Sequence, residues 1–118
     1  MEQVVQTKSF EFAIRIVNLY RYLRAEKKEF VLSKQLLRSG TSIGANVSEA
    51  QQAQSRADFI NKISIALKET YESDYWLRLL CATDYLKQRE FESIIADCRE
   101  LEKLMISIIK TAKTKLSE

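Results

Sequence analysis

The side chains of this chain best suited to binding a metal ion are carboxylates. Four of them could share a site: Glu49, Glu69, Glu72 and Asp74. Four-helix bundles can build di-iron centres from helical glutamates, but those centres also need a Glu-x-x-His motif, and this chain has no histidine. Without histidine, Ser-His and Cys-His nucleophile pairs and the commonest general base are also excluded. We therefore predict a protein that is not an enzyme, with no catalytic residue, metal ligand or cofactor, and keep a carboxylate metal enzyme as an alternative.

A second group of chemically useful residues is basic. Residues 1–56 hold nine Lys and Arg against five Asp and Glu. A basic surface attracts phosphates, and the neighbouring Tyr20 and Tyr22 offer faces on which bases or guanidinium groups can stack. One hypothesis is RNA or DNA binding; the other is a solvated helix end whose cations complement the helix dipole. The residues of this predicted basic surface are Arg21, Arg24, Lys27, Lys28, Lys34 and Arg38.

Apolar residues exceed what one core requires. The first predicted helix has two neighbouring apolar stripes, although one stripe is enough for packing in a bundle. The third predicted helix adds an aromatic patch beside its core positions, which is typical of an interface anchor. We predict a homo-oligomer whose interface contains Phe10, Ile14, Val17, Tyr71, Tyr75 and Trp76.

The elements that must position these residues are helices, because the chain has no proline and only two glycines. Apolar periodicity predicts helices from about Ser9 to Ala25 and from near Phe30 to about Ala53, a third that begins at Ser55, and a fourth after a connection over residues 83–88. Heptad spacing in the last three helices, with short connections, predicts an all-α, antiparallel up-down-up-down four-helix bundle. Residues 1–118 are expected to form this single domain.

Small and polar residues replace leucine at several predicted core positions. Gly40 and Gly44 each cost about 1 kcal/mol of helix stability relative to alanine, which close approach of another backbone would offset. An unpaired buried amide or carboxylate costs about 1–3 kcal/mol, so polar core residues need partners. We predict a hydrogen-bonded network between the second and third helices that fixes their register. Its predicted members are Asn46, Glu49, Thr70, Glu72 and Ser73.

Composition indicates a soluble globular protein, with 46% hydrophobic and 30% charged residues. No apolar run approaches the roughly 18 residues of a membrane helix. The first residues do not resemble a signal peptide. Cys81 and Cys98 lack metal-binding spacing, so we expect reduced thiols in a cytoplasmic protein. No membrane contact and no small-molecule substrate is predicted.

Three segments resemble a known family: residues 35–50 (QLLRSGTSIGANVSEA), 58–62 (DFINK) and 65–80 (IALKETYESDYWLRLL). Over essentially its whole length the chain is similar to the small bacterial four-helix bundle proteins named for intervening sequences in large-subunit ribosomal RNA genes. This resemblance implies the bundle fold and no established activity.

Relatives of that family include the accessory variability protein of diversity-generating retroelements. The resemblance to it implies a ring-shaped homopentamer and a basic surface that engages nucleic acid. The leading interpretation is therefore a non-enzymatic, homo-oligomeric interaction or scaffold protein in an unestablished process, with nucleic-acid binding as the alternative.

Overall fold

Four α-helices make up the regular structure of residues 2–117, the part of the chain that this computed structural model describes. They are α1 (Glu2–Ala25), α2 (Leu32–Ala50), α3 (Arg56–Ala82) and α4 (Gln88–Ser117). No strand occurs between residues 2 and 117, so the all-α fold class is confirmed. None of these helices is both long and apolar enough to cross a membrane.

The first helix begins earlier than predicted, at Glu2 rather than near Ser9. Its buried stripe continues toward the N-terminus through Ser9 and Val5, which are 1% and 0% exposed. These residues follow the helical spacing of Phe12 and Ile16 further along α1. The predicted start near Ser9 is therefore wrong: Ser9 is a polar residue at a buried position of a stripe that continues to Val5.

The second helix is shorter than predicted at both ends, because local hydrogen bonds set its limits. Before α2, the Glu29 carboxylate accepts the backbone N–H groups of Val31, Leu32 and Ser33 at 3.2, 3.0 and 2.6 Å. It therefore satisfies donors that a helix N-terminus leaves free. After Ala50, the backbone N–H of Gln51 bonds the Ser48 carbonyl oxygen three residues back, a tighter turn that ends the helix.

Each helix packs against two neighbours, so α1 and α3 lie on one diagonal of the bundle and α2 and α4 on the other. Neighbouring helices are antiparallel. Ser39 of α2 meets Ser73 of α3, whereas Glu49, further along α2, meets Lys62, earlier in α3. Likewise, Gly40 and Gly44 of α2 lie against Ile16 and the earlier Ser9 of α1. Arg15 and Lys8 of α1 pair with Asp97 and the later Glu100 of α4. The bundle measures 51 × 21 × 19 Å. The predicted up-down-up-down arrangement is confirmed, and α1 and α3 run in the same direction.

The predicted seams line the core. The buried seam residues are Ile63, Ala66, Thr70, Ser73, Leu77 and Leu80 on α3 and Ile94, Cys98, Leu101, Met105, Ile108 and Ala112 on α4. The hydroxyl groups in this core are satisfied, since Thr70 donates to the Ala66 carbonyl oxygen at 2.7 Å and the Ser39 and Ser73 hydroxyls are 2.9 Å apart. On α2, Asn46 departs from the seam and is only half-buried, while Val47 is 1% exposed.

Both glycines lie where α2 meets α1. A Cβ atom added to Gly44 would be 3.3 Å from the backbone oxygen of Ser9, so the predicted close approach of a backbone occurs there. A Cβ atom added to Gly40 would be 2.7 Å from Cγ1 of Ile16, so at this position the neighbour is a side chain instead. The two glycines therefore bring α1 and α2 into close contact.

Candidate functional site

An open groove of about 730 Å³ runs between α1 and α2. Gly44, which has no side chain, and the small Ala45 form part of its wall, and Phe10 also lines it with 68% of its surface exposed. Ile14, one turn later, is 49% exposed. Glu11 is the one charged residue among the described residues that line the groove. We refer to Phe10, Ile14, the half-buried Val17 and this groove as the groove face.

A second exposed apolar surface lies on α3. Tyr71 and Tyr75, one turn apart, are 48% and 49% exposed. Lys68, three residues before Tyr71, is exposed on the same stripe, and we call these three residues the aromatic face. Trp76 is half-buried: its indole N–H donates to Oε2 of Glu72 at 3.1 Å, and its ring meets that of Tyr75 edge-on at 5.0 Å.

The predicted interface residues thus form two surfaces rather than one patch. The groove face belongs to α1 and its border with α2, whereas the aromatic face belongs to α3, across the diagonal from α1. Trp76 packs against the core and supports Tyr75. The other five predicted residues are exposed or half-buried on these two surfaces.

The predicted basic residues surround the α1–α2 connection at one end of the bundle. Arg21, Arg24, Lys28, Lys34 and Arg38 are exposed, and Lys27 is half-buried. An antiparallel hairpin places the end of α1 beside the start of α2, which brings the two halves of this basic surface together. Arg38 also bonds Oε2 of Glu72 at 3.2 Å, so part of its charge is compensated within the chain.

Within this basic surface, Arg24 packs against two aromatic rings. Its guanidinium carbon lies 5.4 Å from the ring centroid of Tyr20 and 5.1 Å from that of Phe30, both cation–π distances. Phe30 is 49% exposed, so one face of the stack remains open. Tyr22, expected as a stacking surface, instead packs against the core, and Phe30 takes that place. Sequence periodicity could not show this, because Phe30 lies in the connection before α2.

The predicted polar network between α2 and α3 does not form as one unit. Asn46 donates to the carbonyl oxygen of Ser42 in its own helix at 2.9 Å, since its position is turned away from the core centre. Thr70 likewise bonds within α3. The bonds that do cross between the helices are separate: Ser39 with Ser73, Arg38 with Glu72 and Lys62 with Glu49.

The four carboxylates considered for a metal site are also dispersed. Glu49 of α2 pairs with Lys62 of α3 at 3.3 Å, and Glu72 of α3 pairs with Arg38 of α2 at 3.2 Å. Glu69 has one buried carboxylate oxygen without a hydrogen-bond partner among the described residues. Asp74 faces α4 instead, because it lies on the other side of the α3 seam.

Asp74 belongs to a polar cluster between α3 and α4 that sequence reasoning missed. Its Oδ1 accepts from Nε of Arg78 at 2.8 Å, and its Oδ2 accepts from Nε of Arg99 at 3.3 Å. The ligand atoms of Asp74, Cys98 and Glu102 all lie within 4.8 Å of one another. A signal was present: Cys98 and Glu102 are four residues apart, on the side of α4 that meets α3.

The surroundings of this cluster shift the pKa values of its two carboxyl groups in opposite directions. Burial and the hydrogen bond with Asp74 raise the pKa of Glu102 from 4.5 to about 7. Burial also opposes ionisation of Asp74, but hydrogen bonds from Glu102, Arg78 and Arg99 outweigh it and lower the pKa of Asp74. Burial, with the nearby Glu102 and Asp74 charges, raises the pKa of the Cys98 thiol.

This arrangement suits a shared proton better than a metal ion. Two guanidinium groups already neutralise Asp74, and a cation placed beside them would be repelled. Metal binding through sulfur needs a thiolate, whereas the surroundings of Cys98 favour the protonated thiol. The cluster can therefore hold a proton between the Asp74 and Glu102 carboxyl groups and link α3 to α4.

These features define a class of protein: a small helical bundle that carries exposed apolar, aromatic and basic side chains on open surfaces. The family model for the 23S rRNA-intervening sequence protein matches residues 1–107, and the chain belongs to that family. The resemblance seen in its sequence is thereby confirmed.

A solved relative has the same fold. It is a protein with unknown function from the S23 ribosomal protein family of Bacteroides thetaiotaomicron, whose crystal structure was determined at 1.70 Å. The two proteins are 64% identical over 92% of this chain and 97% of that chain, with a TM-score of 0.91. No curated protein matches the chain.

Proposed function

We propose that this protein is a non-enzymatic homo-oligomer that acts as an interaction or scaffold protein, with the five-membered ring implied by its resemblance as the expected assembly. The observation that carries this proposal is the pair of exposed apolar surfaces, the groove face and the aromatic face. Phe10 alone is 68% exposed, and exposed apolar surface of this kind marks interaction sites. Self-association would remove both surfaces from water.

Two further observations support a role without catalysis in the cytoplasm. The carboxylates Glu49, Glu72 and Asp74 are all paired with Lys or Arg side chains, which leaves them poorly placed to act as bases. The cysteines Cys81 and Cys98 are free thiols, as is usual in a reducing compartment.

Light scattering coupled to size-exclusion chromatography tests this proposal. At micromolar concentration, the purified chain is expected to have a mass several times its 13.7 kDa. Dilution over two decades should reveal the dissociation of the assembly. A single species of 13.7 kDa at all concentrations would refute self-association.

Nucleic-acid binding is the second candidate, and the stack of Arg24 between Tyr20 and Phe30 is the observation that favours it. The stack presents an aromatic face and a guanidinium group together, the pair of groups that single-stranded nucleic acid engages through bases and phosphates. The lysines around it supply further phosphate contacts. Lys28 and Lys34 are exposed beside the stack.

Fluorescence anisotropy with single-stranded RNA, structured RNA and duplex DNA tests this candidate. Binding should be measurable at about 50 mM salt and fall steeply by about 200 mM, because phosphate contacts release counterions. Replacing Arg21 and Arg24 by Gln should weaken binding and flatten the salt dependence. The matched control replaces Lys110 and Lys113, two exposed cations near the C-terminal end of α4, and should have little effect on binding. No binding at the lower salt, or equal effects of both double substitutions, would refute this site.

A further inference from the structure

We propose that Arg78 of α3 and Arg99 of α4 together bind a phosphate group that carries two negative charges, either inorganic phosphate or a small phosphate monoester. We call these two residues the arginine pair. It lies where α3 meets α4, apart from the groove face and from the basic surface at the α1–α2 connection. The proposed site therefore requires neither self-association nor nucleic-acid binding.

A single carboxylate holds the arginine pair side by side. Nε of Arg78 donates to Oδ1 of Asp74 at 2.8 Å, and Nε of Arg99 donates to Oδ2 at 3.3 Å. Asp74 is itself only 9% exposed, so packing fixes its position. The ring of Tyr75 supports Arg78 from a second side, with its centroid 5.8 Å from Cζ. Both guanidinium groups are thus positioned in advance, which lowers the entropy cost of binding a ligand.

The way in which Asp74 is bound leaves the ends of both guanidinium groups available. Within residues 2–117, the arginine pair forms its hydrogen bonds through Nε, and the terminal Nη groups donate to no atom of the chain. The two Nη groups of an arginine form a rigid fork that points in a different direction from its Nε–H. The side chains of Arg78 and Arg99 are 55% and 51% exposed, so both forks can reach a ligand from solvent.

The number of acceptor oxygens selects the kind of anion that suits two forks. Each fork binds best when it donates to two oxygens of the same anion. A carboxylate or a phosphodiester has two charged oxygens, which is enough for one fork. Inorganic phosphate and a phosphate monoester have three or more, so they can accept from both forks at once. The arginine pair therefore fits a terminal phosphate group best.

The charge of the surrounding residues also favours an anion. Asp74 offsets one of the two guanidinium charges, and Lys103, one turn after Arg99, is exposed and adds another positive charge. Glu102 is faced by Asp74 from α3 and by Cys98 and Arg99 on its own helix. Burial and Asp74 raise the pKa of Glu102 to about 7, so this carboxyl is neutral at lower pH. Cys98 stays a neutral thiol, because burial raises its pKa.

Nearby acidic residues do not cancel this positive charge, because cations of other helices already neutralise them. Three acidic residues of α3 and α4 pair with α1 or α2 at 2.7 to 3.2 Å: Asp97 with Arg15, Glu100 with Lys8 and Glu72 with Arg38. The arginine pair is therefore the centre of a net positive region on the α3–α4 side of the bundle.

Nuclear magnetic resonance of arginine Nε–H groups tests the site in the intact protein, with sodium chloride holding the ionic strength constant. Inorganic phosphate should shift the signals of Arg78 and Arg99 and saturate them with a dissociation constant of about 1 mM. Arg89, which is exposed on the same helix as Arg99, should not respond. Equal, unsaturated shifts at all three arginines would mean that phosphate only screens charge, and would overturn the proposal.

The chemical class of the ligand is tested with three further probes. Adenosine monophosphate should bind at the arginine pair, whereas adenosine, which has no phosphate, should not. Acetate should bind at least tenfold more weakly than phosphate, because its two oxygens satisfy one fork. Tighter binding of adenosine monophosphate than of phosphate would identify an ester as the preferred form, and equal affinities would identify the phosphate group alone. Acetate that binds as well as phosphate would refute the assignment.

Substitution of Arg99 tests the role of the fork. Arg99→Gln should raise the dissociation constant for phosphate about tenfold, because it removes a charge-assisted fork. Arg99→Lys should recover only part of this loss, since lysine keeps the charge but has no fork. Both variants leave Asp74 paired with Arg78, so the fold should be retained, which circular dichroism checks. Arg89→Gln is the matched control and should bind like the parent chain. Parent-like affinity of Arg99→Gln or of Arg99→Lys would overturn the two-fork site.

A substitution that strengthens binding provides an independent test. At pH 8 the Glu102 carboxyl is ionised, and Glu102→Gln removes this negative charge while leaving the arginine pair unchanged. The dissociation constant for phosphate should then fall about threefold. Glu92→Gln, at an exposed position of the same helix, should have no effect. Unchanged or weaker binding to the Glu102→Gln chain would show that phosphate is held elsewhere.

Discussion

The Asp74–Glu102 carboxyl pair makes a prediction that can be worked out from the structure. Glu102→Gln replaces a protonated carboxyl by an amide of similar shape, which can still donate a hydrogen bond to Asp74. Because the pKa of Glu102 is raised to about 7 in the folded chain, the parent protein must keep a proton that its unfolded chain releases above pH 4.5. The amide does not titrate in this range, so a comparison of the two chains isolates the contribution of the Glu102 proton to the free energy of unfolding.

The sign follows from the number of protons bound by each state. Between pH 4.5 and about 7 the folded chain binds more protons at Glu102 than the unfolded chain, so the free energy of unfolding falls as pH rises. The contribution of Glu102 is fully present below pH 4.5 and has been lost once pH exceeds about 7. Each unit of pKa difference corresponds to about 1.4 kcal/mol. Since the carboxyl is partly exposed and titrates together with Asp74, we expect a loss of about 1.5 kcal/mol over this range.

Urea unfolding followed by circular dichroism, at one fixed protein concentration, measures this effect. The parent chain and Glu102→Gln should be similar in stability near pH 4.5, and the variant should be more stable by about 1.5 kcal/mol at pH 8. Glu92→Gln is the matched control, because Glu92 is exposed on the same helix and its Oε1 accepts from Gln88, an acceptor that glutamine retains. Parallel stability curves for the parent and Glu102→Gln would refute the shared proton.

Two further substitutions test how the fold is held. Gly40→Ala should destabilise the chain by about 1–2 kcal/mol despite the better helix propensity of alanine, because the new Cβ would lie 2.7 Å from the stiff, buried Ile16 side chain. Thermal unfolding measures this loss, and Ile16→Ala should relieve part of it in a double-mutant cycle. Glu29→Ala should cost about 1–2 kcal/mol in urea unfolding at pH 7 because it removes the cap of α2, whereas the exposed neighbour Glu26→Ala should change stability by less than about 0.5 kcal/mol. Burial alone would raise the pKa of Glu29, but the backbone N–H groups of Ser33, Leu32 and Val31 lower it, so this contribution should fade as pH falls below 4.5.

The heptad seams could be predicted because core burial imposes a helical period that polar residues rarely interrupt. Ser73 and Thr70 were placed correctly in the α3 seam, and Ser55 was placed correctly as the N-cap of α3, where its hydroxyl accepts the Asp58 N–H at 3.0 Å. These are local features, fixed by the spacing and chemistry of neighbouring residues. The sequence therefore carried most of the fold.

Features that depend on which helix lies beside which could not be predicted in the same way. Asp74 was grouped with Glu49, Glu69 and Glu72 because all four are close in sequence, but it lies on the opposite side of the α3 seam and meets Glu102, 28 residues later in the chain. The α2 boundary was missed for a similar reason. Glu29 caps the helix from outside the usual cap position, so no capping motif marks it in the sequence.

The proposed self-association connects the two candidate functions. An assembly of several copies would repeat the α1–α2 connection, with its Arg24 stack, once in every copy. Nucleic acid could then contact several copies at once, and such multivalency raises affinity without any new contact. Tyr71→Asp, which leaves the basic surface intact but is expected to dissociate the assembly, should therefore lower affinity for a long single-stranded RNA more than tenfold, while a short oligonucleotide that reaches one copy should be unaffected. Equal affinities of parent and variant for the long RNA would show that a single basic surface acts alone and that assembly serves another purpose.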